Sequence, residues 1–264
     1  MIPLKDQEAI RQKFAQELLA PVKVDYFTER DTAISVPGRQ PCAYCKPTRE
    51  MLQELAALHD GISLRVHIFD EAAEERAKFN VQRIPATVLR GPGGAPGTGR
   101  GDQFFTYYGM PGGTEFPSFL ECIVDISRGE VLLSPESVKA LEKLTDEVTV
   151  RVFVTPTCPY CPQMMRAAYQ MALASPKVRA EVIEVNEFPE LADRYGVRAV
   201  PLTVINDRVA IPGAVQEQAL VEQVIKAAES PLAAPPPAAG AATPVEKEEP
   251  LRRGQQRDSG LFIP

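Results

Sequence analysis

Alternating apolar and polar residues predict a β-strand near the start of each half of the chain. The segments VKVDYFT, from Val22, and VTVRVFV, from Val148, combine this alternation with many β-branched side chains, which is typical of strands. Segments with helical spacing of apolar residues and further strand patterns follow each of them. The predicted order in both halves is strand, helix, strand, helix, strand, strand, helix.

The second half shows this order most clearly. A helix is predicted from the cysteine pair at 158–161 to about Ala174, and VRAEVIEV is the next strand. PELADRYG predicts a short helix in which Gly196 suits a left-handed C-terminal cap. VPLTVIND and RVAIPG form a hairpin around Asn206 and Asp207, and VQEQALVEQVIKAAE is a closing amphipathic helix. The first half repeats the order as VKVDYFT, the helix after Cys42, ISLRVHIFD, EAAEERAKFN, IPATVLR, QFFTYYG and EFPSFLECIVDIS.

Two motifs indicate that the halves are repeats of one unit. KFNVQRIPATVL, from Lys78, and RYGVRAVPLTVI, from Arg194, align without a gap at an offset of 116 residues. The pairs Cys42-Ala-Tyr-Cys45 and Cys158-Pro-Tyr-Cys161 stand at the same offset. A shared offset for two separate motifs is the expected signature of a duplication.

The segments around the repeats complete the predicted domain organisation. Ser134 and Pro135 predict the start of a linker helix that belongs to the second unit, so the units should pack together. The segment after Ser230 is rich in alanine and proline, then charged, which is typical of disorder. The predicted domains are 1–130, 131–230 and a disordered tail, 231–264. The N-terminal twenty residues predict a folded amphipathic helix instead of a signal peptide, from the spacing of Leu4, Ile10, Phe14, Leu18 and Leu19.

Composition narrows the class of protein. The chain has 264 residues, 44% of them apolar, which is enough for two domains with cores of their own. Its formal charge of -6 offers nucleic acid no broad basic surface, and no apolar run approaches the length of a membrane span. Five cysteines are far fewer than a small secreted scaffold carries. We therefore expect a cytoplasmic protein with neither nucleic acid nor membrane as a partner.

A Cys-x-x-Cys pair can bind metal, form a structural disulfide or cycle as a redox dithiol. A zinc ribbon needs its two knuckles about 15 to 20 residues apart, whereas 113 residue positions separate Cys45 from Cys158 and each pair lies in its own repeat. A purely structural disulfide across so short a loop removes little entropy from the unfolded chain. Redox cycling is therefore favoured, and structural metal or a structural disulfide remain the alternatives.

The order of elements, with a cysteine pair at the first strand-to-helix junction and a proline entering the third strand, resembles the thioredoxin fold. Cys158-Pro159-Tyr160-Cys161 is similar to the glutaredoxin active-site sequence. Two such units in one chain resemble the protein disulfide oxidoreductases of thermophilic archaea and bacteria, over about residues 1–230. The resemblance implies an α/β fold of two tandem thioredoxin-fold units, each a central mixed β-sheet flanked by helices.

The same resemblance implies an activity and partners. It implies formation, reduction or isomerisation of protein disulfides, with protein dithiols and disulfides as substrates. It also implies reduction by a flavoprotein of the thioredoxin reductase type, with no cofactor beyond the redox-active cysteines. Two other functions stay open: an electron relay to a peroxidase, and a non-catalytic zinc-binding or thioredoxin-like scaffold.

Helix polarity predicts how each pair reacts. A thiol at a helix N-terminus faces unpaired N–H groups and the positive end of the helix dipole, which favour the thiolate. Cys42 and Cys158 are therefore the predicted nucleophiles, and Cys45 and Cys161, one turn further on, would resolve the mixed disulfide. Since the first site carries alanine where the second has Pro159, and a loop ten residues longer precedes it, we expect the two pairs to differ in redox potential.

The resemblance also predicts the residues beside the cysteines. It implies cis peptide bonds before Pro85 and Pro201, although few X-Pro bonds are cis in general. An extended substrate segment could then pair with the neighbouring backbone. The predicted substrate-binding residues are Ile84, Pro85, Val200, Pro201, Tyr44 and Tyr160.

The remaining features predict structure more than chemistry. Cys122 lies among apolar residues at helical spacing, so we expect a buried, inert thiol. Asp25 and Glu184 lie on predicted strands, and we expect them to face solvent, although either could accept a proton if it lay beneath a cysteine pair. The glycine-rich insertion at 90–103 lacks the lysine and helix of a phosphate-binding loop and predicts a flexible connection.

Overall fold

The first repeat folds in the order that its sequence pattern predicts. The structure is a computed structural model that describes residues 2–31, 41–91 and 103–229. The elements of the first repeat are α1 (Leu4–Glu17), β1 (Val22–Thr28), α2 (Cys45–Ala56), β2 (Ile62–Ile68), α3 (Ala73–Phe79), β3 (Ala86–Arg90), β4 (Phe104–Tyr108) and α4 (Glu115–Arg128).

The second repeat has the same order after a linker helix. Asn206 and Asp207 both have positive φ, 49° and 59°, as a two-residue type I′ hairpin requires. Gly196, the predicted cap, has φ 61°. The predicted hairpin and cap are therefore confirmed. The elements are α5 (Pro135–Leu141), β5 (Val148–Val154), α6 (Cys161–Ala174), β6 (Val178–Glu184), α7 (Pro189–Arg194), β7 (Leu202–Ile205), β8 (Val209–Pro212) and α8 (Glu217–Glu229).

Within the described ranges, the eight strands form one sheet in the order β2-β1-β3-β4-β6-β5-β7-β8. The two repeats join where β4 pairs in parallel with β6, with Phe105 opposite Ala180 and Tyr108 opposite Ile183. Strands β3, β7 and β8 are antiparallel to their neighbours β1, β5 and β7. Strands β1, β4, β5 and β6 consequently all end at the same edge of the sheet, which we call the C-terminal edge. The predicted domain boundaries stay predictions.

Helices cover both faces of the sheet. On one face, α1, α2, α4, α5, α6 and α8 bury a large apolar core against the strands. On the other, α3 and α7 cover a smaller core that contains Phe27, Phe79, Phe153 and Phe188. Burial of side chains of this size contributes about 1.5–3 kcal/mol each, so both repeats have the core that their length and composition predict.

The flanking helices form as predicted, with one difference in detail. In α1, Ile10 and Phe14 are buried, but Leu4 is 83% exposed and Leu19 lies beyond the end of the helix. In α5, Ser134 caps the first turn by accepting a hydrogen bond from the backbone N–H of Ser137. Helix α5 packs against α6 and α8, so it belongs to the second repeat. Among the described helices, none is both long and apolar enough to cross a membrane.

Asp25 and Glu184 are buried, so the expectation that they face solvent is wrong. Asp25 is 1% exposed and accepts a hydrogen bond from Arg90 Nε at 2.6 Å, while His67 Nε2 lies 2.8 Å from it. Burial alone would raise the pKa of Asp25, but the hydrogen bonds from Arg90 and His67 outweigh burial and lower it. Both faces of the sheet are covered by helices, so a polar residue in an alternating pattern does not have to reach water.

Three predictions concern segments that the structure does not describe. The longer loop before the first cysteine pair, most of the glycine-rich insertion and the C-terminal tail lie at 32–40, 92–102 and 230–264, outside the described residues. These predictions are not tested by the structure.

Candidate active site

Both cysteine pairs lie at the C-terminal edge of the sheet, at the start of a helix. Cys42 and Cys45 form a disulfide with their Cα atoms 5.4 Å apart, and Cys158 and Cys161 form another at 5.5 Å. In each pair the helix begins at the second cysteine, and the first cysteine precedes it. The second cysteine of each pair is the more buried one, as a resolving residue should be.

The helix N-terminus contacts the sulfur of the second pair directly. The backbone N–H of Cys161 donates to Cys158 Sγ at 3.1 Å. A first-turn N–H group aimed at this sulfur stabilises a thiolate there. This contact favours Cys158 as the nucleophile of its pair, although the catalytic assignment of all four cysteines stays a prediction.

The two predicted cis bonds, Ile84–Pro85 and Val200–Pro201, are both present. Pro85 enters β3, which pairs with β1, and Pro201 enters β7, which pairs with β5. Because β3 and β7 run antiparallel to these partners, each proline lies at the C-terminal edge beside its own cysteine pair. The proline carbonyls accept hydrogen bonds within the sheet, from the N–H groups of Gly109 and Gly213.

The predicted substrate-binding residues differ in exposure, and Pro85 and Pro201 are buried. Tyr44 is 43% exposed and Tyr160 is 64% exposed, while Ile84 and Val200 are half-buried. Exposed aromatic rings beside a reactive sulfur are suited to contact an apolar side chain of a substrate. Their role in binding stays a prediction.

The two centres are separate but point the same way. Four strand-to-strand steps separate β1 from β5, which places the centres roughly 19 Å apart at the usual strand spacing. The proline of the first centre lies between them, on the β3 side, whereas the proline of the second centre lies on the outer, β7 side. The dithiols cannot exchange directly across this distance within one rigid chain.

A loop of the first repeat contacts the second centre. Thr114, before α4, donates from Oγ1 to the carbonyl of Cys158 at 2.9 Å and from its N–H to the carbonyl of Pro156 at 2.8 Å. A side chain at Gly113 would clash with the Pro156 carbonyl, because a Cβ at this position overlaps the oxygen. The second cysteine loop is therefore held by residues of both repeats.

Two carboxyl groups near this contact, the buried Glu115 and the half-buried Glu187, were missed by the sequence interpretation. Burial raises the pKa of Glu115 to about 7, against the lowering effect of its hydrogen bond from Tyr107, and the charges of Glu184 and Glu187 raise it further. Burial also raises the pKa of Glu187 to about 7, and this side chain accepts from the N–H of Met110 at 2.7 Å. An acidic residue in the first turn of a helix is common for reasons of helix polarity, so nothing in the sequence indicated that Glu115 is buried.

A third carboxylate contacts the first centre. Glu29, just after β1, accepts a hydrogen bond from the backbone N–H of Cys42 at 2.9 Å. At the second centre, the corresponding N–H of Cys158 donates to the backbone carbonyl of Thr155 at 3.1 Å. The first centre therefore has a negative charge where the second has a neutral carbonyl.

The fifth cysteine is structural. Cys122 is fully buried, and burial raises the pKa of its thiol. Tyr169 donates a hydrogen bond to its carbonyl across the contact between α4 and α6. The predicted buried thiol is confirmed. In the part of the chain that the structure describes, no three His, Cys, Asp or Glu side chains are grouped so that they could hold a metal ion.

Comparison with known proteins relates the chain to redox proteins. The thioredoxin domain family matches residues 148–226. A thioredoxin of Methanocaldococcus jannaschii is 41% identical over 81 residues, which cover 30% of this chain and 95% of that protein. A component of the alkyl hydroperoxide reductase of Xanthomonas campestris is 22% identical over 175 residues, and the match covers 66% of this chain but only 30% of that protein.

A solved structure matches both repeats together. The crystal structure of a protein disulfide oxidoreductase from Aeropyrum pernix superposes with a TM-score of 0.72 at 25% identity. The match covers 87% of this chain and 94% of that one. The tandem arrangement of two thioredoxin-fold units, predicted from the duplicated motifs, is thus found in a solved structure as well.

Proposed function

The chain belongs to the thioredoxin family and is a thiol-disulfide oxidoreductase, and we propose that it forms, reduces and isomerises disulfides in protein substrates. One observation carries this proposal: two Cys-x-x-Cys pairs at disulfide distance, each at the start of a helix and beside a cis-proline. The exposed Tyr44 and Tyr160 and the half-buried Ile84 and Val200 suit an extended protein segment better than a small molecule.

The reaction proceeds by two thiol-disulfide exchanges. The thiolate of Cys158 attacks one sulfur of a substrate disulfide, and the other substrate sulfur leaves with the bonding electron pair. The thiolate of Cys161 then attacks Cys158 Sγ and releases the second substrate thiolate. The substrate gains two electrons, and the protein is left with the Cys158–Cys161 disulfide. The reverse sequence oxidises a substrate dithiol.

A reducing partner and a location complete the proposal. We propose that a flavoprotein of the thioredoxin reductase type returns electrons to the protein, and that no cofactor beyond the cysteines is bound. The partial match to the alkyl hydroperoxide reductase component supports a place in an electron relay. A cytoplasmic location is part of the proposal, because the chain has few cysteines for a secreted disulfide scaffold.

The same partial match favours a second candidate function. In it, the chain passes electrons to an enzyme that reduces hydroperoxides, and protein disulfides in general are not its substrates. The two functions differ in substrate range. Turnover of a generic protein disulfide such as that of insulin supports the first, whereas turnover only in the presence of a hydroperoxide-reducing partner supports the second.

Redox titration tests the proposal directly. The protein is equilibrated in a series of dithiol buffers, free thiols are alkylated, and each cysteine is quantified by mass spectrometry. We expect both pairs to switch reversibly between about -270 and -120 mV, the range of dedicated thiol-disulfide enzymes. Pairs that stay oxidised below about -300 mV, or that resist alkylation until a chelator is added, would be structural disulfides or metal ligands.

A further inference from the structure

The backbone N–H of the first cysteine donates a hydrogen bond in both centres, but to a different kind of acceptor in each. In both, the N–H of the first cysteine is bonded to the residue that lies two positions after a buried phenylalanine, Phe27 or Phe153. At the second centre this residue is Thr155, and a neutral backbone carbonyl accepts the bond. At the first centre it is Glu29, and the side-chain carboxylate accepts it.

Among the described residues close to Glu29 in the chain or on α2, the cations are paired with other carboxylates. Its neighbour Arg30 pairs with Glu71, and Asp31 pairs with Arg49 on α2. Lys46, in the first turn of α2, is 70% exposed and lies 3.9 Å from Glu50. Among the described residues, each of these cations therefore already has an anionic partner, and Glu29 is the carboxylate in contact with the backbone of Cys42.

A carboxylate at this position changes the free energy of the reduced pair much more than that of the disulfide, because only the reduced pair carries negative charge. Reduction of a disulfide adds two electrons, breaks the S–S bond and leaves two sulfurs, of which the exposed one carries thiolate character. A nearby negative charge destabilises that thiolate, whereas the N–H of Cys161 that points at Cys158 Sγ stabilises it in the other centre. A cysteine pair whose reduced form is stabilised is the better oxidant. A pair whose reduced form is destabilised is the better reductant.

We propose that Glu29 is a positioning residue whose charge keeps the Cys42–Cys45 pair the more reducing of the two centres. This inference rests on the proposed thiol-disulfide exchange activity. It sets a direction: the reduced first centre gives its two electrons to a disulfide, and the oxidised second centre accepts two electrons from a dithiol. Since the centres are separated within one chain, exchange between them passes through a substrate or a second molecule.

Two substitutions separate the charge of Glu29 from its hydrogen bond. Glu29→Gln keeps an oxygen that can accept from the Cys42 N–H but removes the charge. Glu29→Asp keeps the charge but is too short for the same bond. We expect Glu29→Gln to shift the equilibrium between the first pair and dithiothreitol about tenfold toward the reduced protein, which corresponds to about 30 mV. We expect Glu29→Asp to stay close to the wild type.

Alkylation and mass spectrometry read both centres in the same sample, so the second pair is an internal control. Glu74→Gln removes an exposed carboxylate on α3 of the same repeat and should move neither pair. An effect of Glu29→Asp without one of Glu29→Gln would mean that the hydrogen bond matters and the charge does not. A first pair less reducing than the second in the wild type would also overturn the inference. If neither pair of the wild type titrates, the proposed activity itself fails.

Discussion

At the scale of single residues, the burial of each cysteine indicates whether it is the attacking or the resolving cysteine. Cys161 is fully buried in the first turn of α6, while Cys158 precedes the helix and receives an N–H bond at its sulfur. We predict that reduced Cys161→Ser accumulates a covalent adduct with a protein disulfide substrate, because the mixed disulfide forms but is not resolved.

Intact-protein mass spectrometry under non-reducing conditions measures this adduct. Cys158→Ser should form none at this centre, and Cys122→Ser, which removes a buried thiol outside both centres, should behave as the wild type does. An adduct on Cys158→Ser through Cys161 would reverse the assigned roles of the two cysteines.

The buried carboxyl of Glu115 makes stability depend on pH. Its pKa is about 7 in the folded protein against an ordinary value of 4.5, so the folded state holds a proton that the unfolded chain has released between these values. The free energy of unfolding therefore falls as pH rises from about 4.5 to about 7, and then levels off. One such group accounts for at most about 3 kcal/mol.

We predict that Glu115→Gln flattens this decline, because an amide does not ionise. Urea denaturation at pH 5 and at pH 8 measures the difference. Some decline should remain, since Glu187 has a similarly raised pKa. Glu222→Gln, at an exposed carboxyl, should leave the wild-type difference unchanged. An equal decline in Glu115→Gln and wild type would mean that Glu115 does not carry the raised pKa.

At the scale of elements, the loop before α4 holds the second centre in place. Gly113 and Gly129 both have positive φ, 55° and 65°, but a Cβ meets Pro156 at the first and nothing within 4 Å at the second. Gly129→Ala should therefore lower the free energy of unfolding only by the strain of a left-handed backbone, about 1 kcal/mol. Gly113→Ala should lower the free energy of unfolding by more, about 2–3 kcal/mol in total. It should also displace the loop that carries Cys158.

Chemical denaturation measures both costs, and redox titration shows which centre responds. We expect Gly113→Ala to change the titration of the second pair and to leave the first pair as it is. Similar behaviour of the two alanine variants would contradict the proposed support of the second centre by the first repeat.

The sequence predicts elements well and contacts between repeats poorly. Periodicity and β-branching identify β1 and β5, the shared offset identifies the duplication, and turn chemistry identifies the hairpin at Asn206. These signals are local, or they compare the chain with itself. The hydrogen bond from Thr114 to Cys158 and the burial of Glu115 depend on the pairing of β4 with β6. These strands are about seventy positions apart, and neither sequence indicates which strand it pairs with.

The same reason explains the errors at Asp25 and Glu184. A polar residue on a strand indicates a solvent-facing position only if one face of the sheet is open. Here helices cover both faces: Asp25 alternates with Val24 and Tyr26 and lies on the face of the smaller core, whereas Glu184 lies on the same face as Val182 of the large core. Hydrogen bonds from Arg90 and Asn186 satisfy the two carboxylates. The partner of Asp25 lies on the neighbouring strand β3, so strand order decides it, and neither spacing nor composition gives that order. The partner of Glu184 lies only two positions further along the chain, but the burial of Glu184 still depends on the packing of the helices.

At the scale of the whole molecule, the two repeats are joined by a continuous sheet and by contacts between helices, and all of these would be lost if the repeats separated. The sheet continues from β4 to β6. The helices α4 and α6 are joined by an ion pair between Asp125 and Arg166 at 2.7 Å, and the ring of Tyr169 packs edge-on against Phe105. Separating the repeats would expose the edges of two strands and an apolar helix surface at once.

We therefore predict that the oxidised protein unfolds in one cooperative transition. Cys122 is its single free thiol among the described residues and lies in the contact between α4 and α6, so its alkylation reports on that contact, while far-UV circular dichroism reports on all elements. The two midpoints in urea should coincide. Alkylation of Cys122 at a clearly lower urea concentration would mean that the repeats separate before they unfold. The second centre would then lose the support of Thr114 while its own repeat is still folded, and its redox equilibrium should shift in that same range of urea.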